Sequence, residues 1–124
     1  MDRRRQLTML ISASMAAFAI PFSLVIGGLL AVAAPAVQTA TAHSHRDLRT
    51  LSYGYPLHWF SQDQRIHTAT VYPADMRYDN PMEVPTSVRP GHLLADWAIL
   101  AGALATALML TAGGIRLIAV RRSA

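Results

Sequence analysis

Five histidines, and no cysteine, are the residues of this chain best suited to chemistry: His43, His45, His58, His67 and His92. Neutral imidazole is a good ligand for zinc or copper. Two such side chains directly opposite one another in an antiparallel strand pair have Cβ atoms about 5 Å apart, close enough to share an ion. The local pattern suggests how His58 and His67 would meet. Leu51, Tyr53, Tyr55, Leu57 and Trp59 occupy every second position, the period of a strand with one apolar face. Ile66 to Tyr72 is rich in β-branched residues, and Ser61-Gln62-Asp63-Gln64 between the two reads as a turn. This predicts a β-hairpin over 51–72 in which Trp59 faces Ile66, Leu57 faces Thr68 and Tyr53 faces Tyr72. His58 and His67 then fall opposite each other on the other face. Pro56 would need an unpaired edge or a bulge. His43-x-His45 with Asp47 offers a second half-site.

The spacing is loose, however, and scattered surface histidines are the commoner reason for such a set. A zinc or copper site at His58 and His67, in a metal-binding or metal-sensing protein, therefore ranks as the alternative function. No other cofactor is expected. Nothing reads as an HExxH zinc motif, a nucleophile elbow or a phosphate-cradling glycine loop. Without cysteine there is no thiol chemistry, disulfide or c-type haem attachment. The chain is not expected to be an enzyme.

The elements that must position these residues are two long apolar runs. Leu7–Val37 contains no charged side chain, and Trp97–Ile115 contains none either. A bilayer core of about 30 Å is crossed by roughly 20 helical residues, so each run suffices. The expected fold is an all-α membrane protein, a hairpin of two transmembrane helices joined by an exported loop rich in proline and aromatics. Its boundaries are a basic N-terminal segment at 1–9, helices at 10–32 and 95–116, the loop at 33–94 and a basic tail at 117–124. Pro21 is expected to kink the first helix. Met1–Arg5 with the following apolar run also resembles a secretory signal, and Ala40-Thr41-Ala42 offers a cleavage site. Signal apolar regions run only about 7–15 residues, which favours an uncleaved anchor.

Charge placement sets the orientation. The loop balances Arg46, Arg49, Arg65, Arg77 and Arg89 against Asp47, Asp63, Asp75, Asp79 and Glu83. The excess lies at the ends, in Arg3, Arg4 and Arg5 and in Arg116, Arg121 and Arg122. Arginines flanking apolar spans are retained on the cytoplasmic side, which places both termini in the cytoplasm. The net charge of +4 is thus accounted for without nucleic acid as a partner. All eleven basic residues are arginine, a codon bias suggesting a GC-rich bacterial genome and hence the bacterial inner membrane. Asp96 and Trp97 read as a helix-start carboxylate and an aromatic-belt anchor.

Small residues recur along both spans: Ser12, Ala16, Ala19, Ser23 and Gly27 in the first, and Ala98, Gly102, Ala105, Met109 and Ala112 in the second. Stripes of this kind let helices approach closely in lipid. They point to packing against each other, a second copy or another membrane protein. Within the loop, Tyr53, Tyr55, Trp59, Phe60 and Tyr72 are the expected contact residues, since so many aromatics are too many for a flexible linker. From Pro73 to Pro90 an irregular strap is expected. The leading function is structural: an accessory subunit of a membrane complex, or a homo-oligomer, whose exported loop contacts a partner. A transport component is a weaker alternative, because two spans enclose no pathway without oligomerisation.

Overall fold

The computed structural model describes residues 3–67 and 71–122. Two long apolar helices, α1 (Arg3–Val37) and α2 (Pro90–Arg122), flank a segment that contains strands. The chain divides into two compact units. One comprises α1 as far as Gly28 together with α2 from Ala98 onward, and the other comprises Leu29–Trp97.

In the helical unit, apolar side chains are spread around the full circumference of both helices with no polar face. Four hydroxyls among them bond to their own helix, whereas the buried Ser23 Oγ has no hydrogen-bond partner among the described residues. Ser12 donates to Thr8 O, Thr106 to Gly102 O and Thr111 to Ala107 O, each at 2.8 Å, and Ser14 donates to Ile11 O at 3.0 Å. The helix backbones meet at Gly27. A Cβ built there would lie 2.7 Å from the Ala101 nitrogen and 2.8 Å from its Cα, so no larger residue fits. Ala19, Ser23 and Ala101 are buried around this contact. Arg116 reaches from α2 to the Ser12 hydroxyl on α1. Fifteen residues separate Ser12 from Gly27, and fifteen separate Ala101 from Arg116, so the helices run antiparallel in step.

The second unit is built on five short strands. β1 (Thr39–Ala42) pairs antiparallel with β4 (Ala74–Arg77). β2 (Leu51–Tyr53), β3 (Phe60–Gln62) and β5 (Thr86–Val88) form an antiparallel sheet in the order β2-β3-β5. Alternation decides the inward face: Leu51 and Tyr53 are buried while Ser52 is exposed, and Phe60 and Gln62 are buried across from them. Ala42, Leu48, Leu51, Tyr53, Trp59 and Phe60 make up the core, and Tyr72, Met76 and Leu93 pack against it.

Several local expectations need correction. An all-α description misses two sheets. The hairpin partner of β2 is β3, with Tyr53 opposite Phe60 and Leu51 opposite Gln62. The pairings of Tyr53 with Tyr72 and of Trp59 with Ile66 are not formed. The third expected pairing, of Leu57 with Thr68, reaches a residue outside the described ones, as are Ala69 and Thr70. The reason lies at Gly54, whose φ of +117° breaks the strand. A Cβ there would sit 2.5 Å from Trp59 Cδ1, so the chain turns back on the indole at this glycine. The even-spaced apolar pattern thus continues through a loop, and the predicted turn Ser61-Gln62 belongs to a strand. The strap of Pro73 to Pro90 supplies β4 and β5. Both helices also run past the predicted segments. Because α2 begins at Pro90, Asp96 lies in its second turn rather than its first.

Candidate functional site

The strand unit carries nearly all the polar chemistry outside the termini, and much of it is internal. Gln62 and Gln64 are each only 1% exposed. The Gln62 amide donates to Asp79 O at 2.7 Å, and its carbonyl accepts from Asp79 N at 2.8 Å, a reciprocal pair that docks the chain after β4. Gln64 donates to Gln62 Oε1 and to Arg77 O, each at 2.9 Å, and more distantly to the Tyr53 hydroxyl. Tyr53 in turn donates to Met76 O at 3.2 Å. Burial disfavours its phenolate and pushes its pKa up to about 12. Two glutamines in the core are tolerable because each finds partners among backbone groups that would otherwise be orphaned.

The loop after β2 is clamped from both sides. The Gln38 side chain accepts from Gly54 N at 2.7 Å and donates to Gly54 O at 3.3 Å. Trp59 Nε1 donates to Ala31 O. Asp96, fully buried, accepts the Leu57 N–H at 2.8 Å through Oδ1. Its Oδ2 is buried with no hydrogen-bond partner. Asp96 therefore fastens the loop to α2, a role that no motif signals.

These contacts settle where the expected site residues stand. Tyr53, Trp59 and Phe60 are buried in the core and Tyr72 packs against it, so four of the five expected contact aromatics are absorbed by the unit itself. A unit this small has few other large side chains with which to build an interior. Tyr55 remains exposed, as do Ile66, Val71, Met82 and Val88. His58 follows β2 in the loop and its carbonyl faces the His92 ring at 3.2 Å, while the His67 ring meets the Asp79 carboxylate. The cross-strand opposition of His58 and His67 is not formed, because β3 takes the place assigned to residues 66–72. No cluster of three or more metal-ligating side chains occurs among the described residues. His43 N and Ser44 N both donate to Asp47 Oδ2, which makes Asp47 a turn former.

Outside, the three-stranded sheet aligns Ser52, Ser61 and Ser87 in one cross-strand row. A shallow groove of about 340 Å³ takes in Ser61 and Ser87 together with Arg49, Thr50, Asp63 and Thr86. Asp63 is held by the forked Arg65 guanidinium at 2.6–3.0 Å, and those hydrogen bonds keep its carboxyl below the usual range. Asp79 is lowered as well, first by the Asn80 N–H and then by His67. None of the described serines hydrogen-bonds a histidine. The groove presents serine and threonine hydroxyls beside the Asp63–Arg65 pair.

Of the small-residue stripes, Ala19, Ser23 and Gly27 lie buried at the helix contact and Ala16 is half-buried beside them. Ser12 is exposed and meets Arg116. On α2 the contact passes through Ala101, with Ala105 and Ala112 half-buried. Ala98 and Gly102 are exposed, and a Cβ at Gly102 would touch nothing. Compared with known proteins, the chain matches no family model, no curated protein and no solved structure.

Proposed function

We propose that this chain is an integral membrane protein of two spans, which holds its strand unit on the extracytoplasmic side as an interaction surface within a larger membrane complex. One observation carries the reading: both helices are apolar on every side, yet their large side chains are left uncovered. Leu10, Phe18, Val25, Leu110 and Leu117 are each more than 60% exposed. A helix that is apolar all round belongs in a protein core or in lipid, and here the chain supplies no core to cover it. The self-satisfied hydroxyls of Ser12, Thr106 and Thr111 suit a medium without water.

The arginine clusters at both ends favour cytoplasmic termini and, in a bacterium, the inner membrane. Exposed Tyr55, Ile66, Val71 and Met82 offer apolar contacts on the strand unit, and the serine row with its groove offers polar ones. A structural role fits better than catalysis, because the unit spends its aromatics and amides on its own interior.

Fusions test the topology. A reporter active only in the cytoplasm is expected to work after Ala124 and to be silent after Asp79, and the reverse pattern overturns the orientation. Purification in mild detergent is then expected to recover a stoichiometric companion or a homo-oligomer. A lone monomer would count against the interaction role.

A further inference from the structure

We propose that the cleft between α1 and α2 binds one anionic phospholipid, with its phosphate on Arg116 and Ser12 and an acyl chain along the neighbouring groove. The inference rests on the membrane reading above and adds a ligand to it. Two independent features converge.

The first is a guanidinium, that of Arg116, with no ion-pair partner among the described residues. Arg116 donates to the Ser12 hydroxyl at 2.8 Å and to the Met15 sulfur at 3.1 Å. A guanidinium has five N–H donors, and a hydroxyl and a thioether are weak acceptors for two of them. By sequence the remaining charges of the helix ends are Arg3, Arg4, Arg5, Arg121 and Arg122 against Asp2 alone. Carboxylate relief is therefore scarce, and an anion from outside the chain is the natural partner.

The second is a groove. A cleft of about 350 Å³ runs between the helices, lined by Ser14, Met15, Phe18, Ala19, Leu108 and Met109. Met15 both lines it and touches the guanidinium. Burial explains the opening: Ser23, Gly27 and Ala101 are buried where the backbones meet, whereas Leu108, Ala112 and Arg116 are only half-covered. The polar end lies toward the chain termini, and the apolar part runs away from them. An anionic headgroup at the cytoplasmic surface with a tail pointing into the bilayer has the same polarity. Arg116 lies five residues before Arg121, roughly 8 Å deeper along the helix, which suits a phosphate better than a soluble anion.

The test uses the full chain reconstituted in phosphatidylcholine, probed in turn with spin-labelled phosphatidylglycerol and spin-labelled phosphatidylcholine. Immobilisation is expected to favour the anionic lipid by about fivefold, the contribution of one well-placed arginine near a membrane surface. Arg116→Gln should abolish the preference, Arg116→Lys should keep part of it, and Arg121→Gln should leave most of it. Met109→Trp, filling the groove from its rim, should weaken retention with Arg116 intact. Equal immobilisation of both lipids overturns the proposal. So does a preference that survives Arg116→Gln, retention that Met109→Trp leaves unchanged, or a preference that Arg121→Gln alone removes. Failure of the chain to resist carbonate extraction from membranes would instead defeat the membrane reading itself.

Discussion

The two units solve opposite problems with the same small alphabet of residues. In the helical unit, large apolar side chains face outward and small ones face inward, so that backbones touch at Gly27 and Ala101. In the strand unit the order is reversed: Tyr53, Trp59 and Phe60 go inside and Ser52, Ser61 and Ser87 stay out. A water-exposed unit gains stability by hiding apolar area. A lipid-exposed pair has no such gain available between its helices and relies on close packing. On the membrane reading proposed above, the difference marks where each medium would begin, and it predicts that damage to one unit leaves the other standing.

The largest effect should follow Trp59→Ala. The indole is 7% exposed, packs edge-on against Phe60 at 5.5 Å between centroids and donates to Ala31 O. Removing it from so small a core should cost about 3–5 kcal/mol, enough to unfold the unit. The measurement is proteolysis in reconstituted vesicles, where Leu29–Trp97 should become susceptible while both spans stay inserted. Loss of insertion would break the comparison, because it would mean that the strand unit holds the helices in place.

Next in size is an alkaline transition. Tyr53 has its pKa raised to about 12 in the folded unit, against about 10 in an unfolded chain. Its contribution is therefore complete below pH 10 and is lost as pH climbs from 10 to 12, amounting to about 2–3 kcal/mol over that window. Denaturation followed by Trp59 fluorescence in a Trp97→Phe background should show stability falling across it. Tyr53→Phe should flatten that fall, although it lowers stability at neutral pH by leaving Met76 O without its donor. An identical alkaline slope in Tyr53→Phe would remove Tyr53 as the cause.

On the helical side, Gly27→Leu should push the helices apart. Any side chain there meets Ala101 backbone rather than a movable group, and overpacking of this kind costs about 1–3 kcal/mol. Distances between labels at Ser12 and Arg116 should lengthen while strand-unit fluorescence holds. Gly102→Leu serves as the comparison, since its Cβ meets nothing. If both variants behave alike, the Gly27 contact is not what pairs the helices.

How much of this could be read in advance differs between the units for a physical reason. Helices that are apolar throughout announce themselves by run length alone, and of the α1 stripe Ala19, Ser23 and Gly27 are buried while Ala16 is half-buried and Ser12 exposed. The α2 stripe was harder. Ala105 and Ala112 are half-buried, but the close approach runs through Ala101 rather than Ala98 and Gly102, because an alanine-rich helix offers several equivalent small faces. In the strand unit, period-2 alternation identified β2 and then misled. Gly54 ends the strand in a way that alternation cannot register, and Trp59 and Phe60 look like surface contacts until the strands are paired. Gln62 and Gln64 are hard to read as internal, since buried amides are recognised chiefly through the backbone groups they satisfy. A polar pair flanked by Trp59-Phe60 on one side and Ile66 on the other was the available hint. Asp96, likewise, shows its role only once Leu57 is folded against it.

The smallest expected effect lies at the acid end and sharpens the account of the strand unit. Asp79 accepts from Asn80 N next door and from His67, twelve residues away in the chain. Together these hold its carboxyl below the ordinary range in the folded state. An unfolded chain then takes up the proton first, so Asp79 contributes fully above the ordinary carboxylate pKa and loses that contribution as pH falls through the folded value. Asp63 is lowered too, chiefly by Arg65 only two residues away. A pair so local partly survives unfolding, and its net contribution should be smaller. Asp79→Asn should therefore flatten the acid limb of the stability curve more than Asp63→Asn. His67→Gln should flatten it nearly as much, because the remaining Asn80 contact is as local as the Asp63–Arg65 pair. Equal effects from Asp79→Asn and Asp63→Asn would show that the long-range His67 contact adds nothing to the fold, and would leave the glutamine pair alone to dock the segment after β4.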